Sequence, residues 1–146
     1  EAEKRLMQFG IPKDRLILVP FSRANQYVLY NKIDIALDPF PAVGGTTGMD
    51  TLWMGVPYIT LAGKHFASRM GVSILTNVGM PELIAQTMDE YVAIAANLAK
   101  DLLKLREIRN GLRERFAASP AMDQKRFARS MEAAYREMWR IWVSKN

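Results

Sequence analysis
Two periods of apolar residues divide the 146-residue chain. In the first half the apolar runs are short and bounded by Pro or Gly. Residues 15–19 (Arg-Leu-Ile-Leu-Val) stop at Pro20, and residues 34–37 (Asp-Ile-Ala-Leu) run into Asp38-Pro39-Phe40-Pro41. Residues 58–61 (Tyr-Ile-Thr-Leu) follow Val56-Pro57. Such runs predict short buried strands. Helices are predicted around them: residues 2–9, stopped by Gly10, and a segment from Ser22 as cap to about Lys32, with Tyr27 and Val28 on its inner side. A short helix opened by Thr46-Thr47 and another over residues 65–75 follow. In the second half the period is helical. Residues 88–99 repeat Tyr91, Ile94, Ala95 and Leu98; residues 101–117 repeat Leu105, Ile108, Leu112 and Phe116; residues 123–143 repeat Phe127, Met131, Tyr135, Met138 and Trp142. Ser119-Pro120 separates the last two helices.

Alternation of strand and helix predicts an α/β fold with a parallel sheet of about three strands and a helix-rich C-terminal half. Ligands of such sheets bind at the carboxyl ends of the strands. The length fits one domain, and the 49% hydrophobic content suits a packed core. There is no cysteine, so disulfides, a thiol nucleophile and a Cys-based zinc site are excluded. That absence is compatible with a reducing cytosol, and the cytoplasm is the expected location. No apolar run approaches the roughly 20 residues of a membrane span. The net charge of +5 raises nucleic acid as a partner, but the bases between Lys100 and Arg140 alternate with Asp101, Glu107, Glu114, Asp123, Glu132 and Glu137. Mixed signs along helices read as solvated faces rather than a one-sign stripe, so no nucleic-acid partner is expected.

The candidate chemistry lies in Gly44-Gly45-Thr46-Thr47-Gly48-Met49-Asp50, after the strand-like run that ends at Asp38. Glycines let a backbone come close to a ligand, and Thr hydroxyls can cap the helix they open. The unpaired N–H groups of a first helical turn are a seat for phosphate. By pattern alone the same residues also suit a plain strand-to-helix connection. His65 is the only histidine and has no motif around it. Asp38, before Pro39, is expected to fix its loop by local hydrogen bonds, and Arg69 to find a carboxylate or a neighbouring helix. Trp53 and the stripe from Phe127 to Trp142 read as core. No metal-ligand spacing is present.

The ordered set Asp34-Ile35-Ala36-Leu37-Asp38, Gly44 to Asp50, Leu52-Trp53-Met54-Gly55-Val56-Pro57, Gly63 and Ala67-Ser68-Arg69 resembles the O-GlcNAc transferase family, which includes the SPINDLY-type enzymes. The likeness continues through Pro81-Glu82-Leu83-Ile84-Ala85, Glu90-Tyr91, Ser119-Pro120 and Met138-Trp139, and so covers nearly the whole chain. That family joins tetratricopeptide repeats to a two-lobed GT-B glycosyltransferase. The resemblance implies that residues 1–146 are a partial, Rossmann-like C-terminal lobe, with residues 123–143 as its terminal helix. The other lobe and the repeats would lie outside these residues.

Carried over position by position, the resemblance implies that Thr46 and Thr47, with Gly44 and Gly45 before them, hold the diphosphate of a UDP-sugar. Asp50 would accept the ribose hydroxyls, and the segment from Ser22 to Tyr27 would contact uracil, with Tyr27 stacking on it. Two positions depart from the family: Gly45 stands where animal enzymes often have His, and Ala24 where a Lys lies near the ribose. The family's phosphate-binding Lys and catalytic His belong to upstream segments. No catalytic residue is therefore expected in this chain, and alone it should bind UDP weakly and not turn over. The implied reaction is inverting and metal-independent, with UDP-GlcNAc as donor, protein Ser or Thr as acceptor and no cofactor. Another nucleotide sugar or acceptor, or a non-catalytic nucleotide-binding module, are the alternatives. Two further strands of such a lobe would precede residues 15–19 in the chain and lie in the sheet between them and residues 34–37. Their lack predicts an unpaired sheet edge, closed by direct pairing or by oligomerisation.

Overall fold
The computed structural model describes residues 1–20 and 26–145. Three parallel strands form its sheet, β1 (Ala36–Leu37), β2 (Tyr58–Leu61) and β3 (Ile84–Ala85), in the order β1-β2-β3. Ala36 stands opposite Tyr58 and Leu37 opposite Ile59, while Thr60 and Leu61 face Ile84 and Ala85. The central strand β2 is buried along its whole length, which is why it carries an unbroken apolar run. The described residues also form seven α-helices: α1 (Ala2–Gln8), α2 (Gln26–Leu29), α3 (Thr46–Trp53), α4 (Met70–Val78), α5 (Met88–Lys100), α6 (Leu102–Ala117) and α7 (Gln124–Lys145).

The core is built where α3, α4, α5 and α6 meet the sheet, around Leu52, Ile59, Leu75, Met80, Leu112 and Phe116. Helices α5 and α6 start on side-chain caps. Thr87 Oγ1 accepts from the Glu90 N–H at 3.2 Å, and Asp101 Oδ1 from the Lys104 N–H at 3.0 Å. Glu90 also accepts from the Gln86 N–H at 2.6 Å, the residue before the cap, and so ties down the entry to α5.

The α/β architecture and the helix-rich second half are as expected, but one strand is exchanged for another. Residues 15–19 are not a strand: Lys13–Arg15 is a 3₁₀ turn, and Ile17, Leu18 and Val19 are exposed. Among the described residues no neighbouring strand offers them a hydrogen-bonding partner, and an apolar run without a partner cannot make a ladder. The direct pairing that would have closed the sheet edge is therefore not formed, and Leu37 on β1 is 58% exposed. The third strand is β3, whose two residues are too short to show a period. Helix α2 passes into a 3₁₀ turn at Tyr30–Lys32, in agreement with the predicted end, while its expected start at Ser22 lies outside the described residues. The stripe from Phe127 to Trp142 is not core. Helix α7 buries none of its residues; Phe127, Trp139 and Trp142 are 67%, 64% and 58% exposed, with the two tryptophans stacked at 5.3 Å. Trp53 is also partly exposed, edge-on to Phe116 at 6.5 Å and covered by the Arg113 guanidinium.

Candidate functional site
Strand β1 ends at Asp38, and the chain leaves the sheet through Pro39, a cis Phe40–Pro41 peptide and Ala42 before returning at Gly44. Helix α3 then begins. Its N-cap is Gly45, so Thr46 and Thr47 occupy the first two helical positions and do not cap the helix, contrary to the sequence expectation. Both threonines are exposed. The first of the helix's backbone bonds runs from the Met49 N–H to the Gly45 carbonyl, at 3.2 Å. The N–H groups of Thr46, Thr47 and Gly48 accordingly have no partner among the described residues. The first turn of α3 carries no acidic side chain, so its positive end is not neutralised from within.

Packing holds this helix start in place. A Cβ on Gly48 would come to 3.2 Å from the Tyr58 ring, so glycine lets α3 lie directly on β2. Thr51, buried one turn later, donates its hydroxyl to the Thr47 carbonyl at 2.6 Å and lies 3.5 Å from the Tyr30 hydroxyl. The second contact joins α3 to the segment that follows α2. Asp50 lies on α3 one turn in and is half-buried. Tyr27, on α2, is 46% exposed. Ser22 lies outside the described residues. Gly44 and Thr47 line one small cleft of about 140 Å³ with Asp38, Gly48, Thr51 and Tyr58.

Asp38 is buried and anchors the loop, as its place before Pro39 suggested. Oδ1 accepts from the Gly44 N–H at 2.8 Å, Oδ2 from the Thr60 hydroxyl at 2.8 Å, and the backbone carbonyl from the Tyr91 phenol at 2.8 Å. The sequence reading missed Thr60 and Tyr91. Only the polar residue inside the apolar run of β2 could have signalled the first. Burial raises the pKa of both Tyr58 and Tyr91, and the nearby Asp38 carboxylate adds to it.

A wider cleft of about 590 Å³ opens on the other side of the loop, between Phe40-Pro41-Ala42 and the ends of β2 and β3. His65 lies on its rim, exposed, with no acidic side chain paired to it among the described residues. Arg69 donates to the Gly63 carbonyl at 3.1 Å, a local bond and not the carboxylate or interhelical partner expected. Among the described residues no three His, Asp or Glu side chains converge as a metal site would need.

The profile of Glycosyl transferase family 41 matches residues 1–131. This chain belongs to that family. It is 44% identical over 136 residues to barley (Hordeum vulgare) SPINDLY, whose name describes it as a probable UDP-N-acetylglucosamine–peptide N-acetylglucosaminyltransferase. That match covers 92% of this chain and 14% of the barley protein. It is 32% identical over 142 residues to the UDP-N-acetylglucosamine–peptide N-acetylglucosaminyltransferase of Caenorhabditis elegans, covering 97% of this chain and 12% of that one. The structure superposes with a TM-score of 0.87 on a K341M mutant of Thermobaculum terrenum O-GlcNAc transferase, at 40% identity, over 95% of this chain and 27% of that one. The chain thus spans about one seventh of the barley relative and about a quarter of the solved structure.

Proposed function
We propose that this chain is the UDP-holding part of an inverting glycosyltransferase, with UDP-GlcNAc as donor and Ser or Thr hydroxyls of proteins as acceptors. One observation carries the reading: three N–H groups without partners among the described residues at the start of α3, beside the carboxyl ends of β1 and β2. A diphosphate there would accept from Thr46, Thr47 and Gly48, with the helix dipole favouring its charge. Asp50, one turn along, would accept the ribose hydroxyls, and Tyr27 would lie against uracil. When the acceptor hydroxyl attacks the anomeric carbon, the bond to the β-phosphate oxygen breaks and negative charge grows on UDP. Donors already aimed at that charge need no reorganisation, and each contributes on the order of 3 kcal/mol. The group that takes the acceptor's proton is assigned to segments outside this chain, and His65 is not given that role.

The test is UDP titration by calorimetry of the protein at its full length, with Asp50→Ala beside the wild type. Loss of a ribose-binding carboxylate should weaken UDP at least ten-fold, the effect of a charge-assisted hydrogen bond of about 1.5–3 kcal/mol. Equal affinity in both removes Asp50 from the site, and no UDP binding by the wild type overturns the reading. A second reading, a donor sugar other than GlcNAc, is favoured at Gly45: a Cβ there would meet Met70 Cε at 3.1 Å, so Met70 fills the space a larger side chain would take. Turnover with a panel of UDP-sugars separates the two donors.

A further inference from the structure
Asp38 has all four of its polar backbone and side-chain atoms engaged. Its N–H donates to the Ile59 carbonyl at 3.0 Å, its carbonyl accepts from Tyr91, and its two carboxylate oxygens accept from Gly44 and Thr60. It is 6% exposed, and no cation is paired with it among the described residues. The bond to Gly44 closes the loop that leaves β1. It also turns the Gly44 N–H inward, so that the outward-facing donors begin only after this residue. Behind the carboxylate, α4 approaches through Gly71, its second residue. A Cβ at Gly71 would clash with the Thr60 hydroxyl and stand 2.7 Å from Asp38 Oδ2, so only glycine lets α4 start this close. No acidic residue occupies the first turn of α4, whose positive end complements the buried carboxylate.

We infer that Asp38, with Thr60 and Gly71 behind it, is the positioning residue of the diphosphate seat: it sets the course of the glycine loop, and UDP affinity depends on it without contact to the ligand. The inference rests on the UDP reading above. A carboxylate suits the task because it accepts on both oxygens, one for the loop and one for β2. Asparagine keeps half of this arrangement. Its carbonyl oxygen can still take the Gly44 N–H while the Thr60 hydroxyl rotates to accept from its amide. Alanine keeps none.

Calorimetry of UDP binding to the protein at its full length tests the assignment with Asp38→Ala, Asp38→Asn and Thr60→Val, alongside hydrogen exchange at the Gly44 amide. Asp38→Ala should raise the UDP Kd about ten-fold or more and speed Gly44 exchange, while Asp38→Asn recovers most of the affinity. Thr60→Val keeps the shape of β2 and removes only the donor to Oδ2. It should fall between the two, and it carries the test if Asp38→Ala does not fold. A merely structural role would lower the number of binding sites per molecule and leave the Kd of the folded fraction unchanged. Wild-type Kd together with protected Gly44 in the folded variants overturns the inference. Absence of UDP binding by the wild type strikes the functional reading instead, and Gly44 exchange alone then decides the loop assignment.

Discussion
Tyr58 packs its ring beneath Gly48 at one side of the seat and points its hydroxyl toward the Gly71 carbonyl, 3.5 Å away. Burial, and then the Asp38 carboxylate, hold this phenol protonated well beyond its ordinary pKa of 10.0. In the unfolded chain it releases its proton near that ordinary value. Above it the unfolded state therefore binds fewer protons than the folded one, and stability falls as pH rises. The contribution is fully present below about pH 10 and declines above it, by about 1.4 kcal/mol per pH unit for one such group. Urea unfolding of Tyr58→Phe should show a shallower alkaline decline than the wild type, with little change near neutrality because the hydroxyl makes only a long contact. A parallel decline in both proteins would mean that the phenol titrates normally. The same crowding accounts for the polar residues of β2. Thr60 looks out of place in an apolar run until Asp38 is seen to need a second donor.

Helix α6 joins elements that are far apart in the chain. Arg109 donates to the Ile33 and Asp34 carbonyls at 2.7 and 3.0 Å, and lies 3.7 Å from the Asp34 carboxylate. Arg113 donates to the Trp53 carbonyl at 2.6 Å, at the end of α3. Arg115 donates to the carbonyls of Val78, at 2.9 Å, and Gly79, at the end of α4. Cations placed on orphan helix carbonyls complement the negative end of the dipole. Arg115→Ala should lower the unfolding free energy by about 1 kcal/mol, measured by denaturant titration, and Arg115→Lys should recover only part of it because an ammonium lacks the planar fork. From sequence these arginines read as a solvated face, because carbonyl acceptors dozens of positions upstream leave no mark in a local pattern. The strand at residues 58–61 was legible because burial on both faces writes an unbroken apolar run, and α5 and α6 because their stripes keep a helical period. The Gly-Thr turn was legible as the connection that opens a helix after β1, but not the inward turn of the Gly44 amide, which depends on a side chain six positions earlier. A two-residue strand such as β3 has no period to read, and the stripe on α7 says that a face wants cover without saying what covers it.

At the scale of the whole chain, the described residues leave apolar surface exposed at Leu37 on the β1 edge, along Ile17 to Val19, and on α7. Together these exceed the scattered single residues that a monomer usually shows. Sedimentation of the 146-residue chain should therefore reveal self-association at micromolar concentration. Leu37→Lys should weaken it if the sheet edge is the contact, and Trp139→Lys if the helix face is. A monodisperse monomer in the wild type would count against both surfaces. Self-association through the α7 face would leave the start of α3 accessible, whereas Leu37 lines one cleft with Gly44 and Thr47, so association at the β1 edge should also weaken UDP binding. The arrangement of α6 has a different reach. Arg109, Arg113 and Arg115 hold five main-chain oxygens, with the Met54 sulfur and the Asp34 carboxylate as their side-chain partners, so this joint is specified largely from one side. Side chains on the ends of α3 and α4 can change without breaking it, provided the helices still end there. Sequence drift at those helix ends is thus tolerated by the framework, while replacement of Arg113 or Arg115, dozens of positions downstream, would loosen the helix that carries Thr46, Thr47 and Asp50 or the one that backs Asp38, and replacement of Arg109 would loosen the entry to β1.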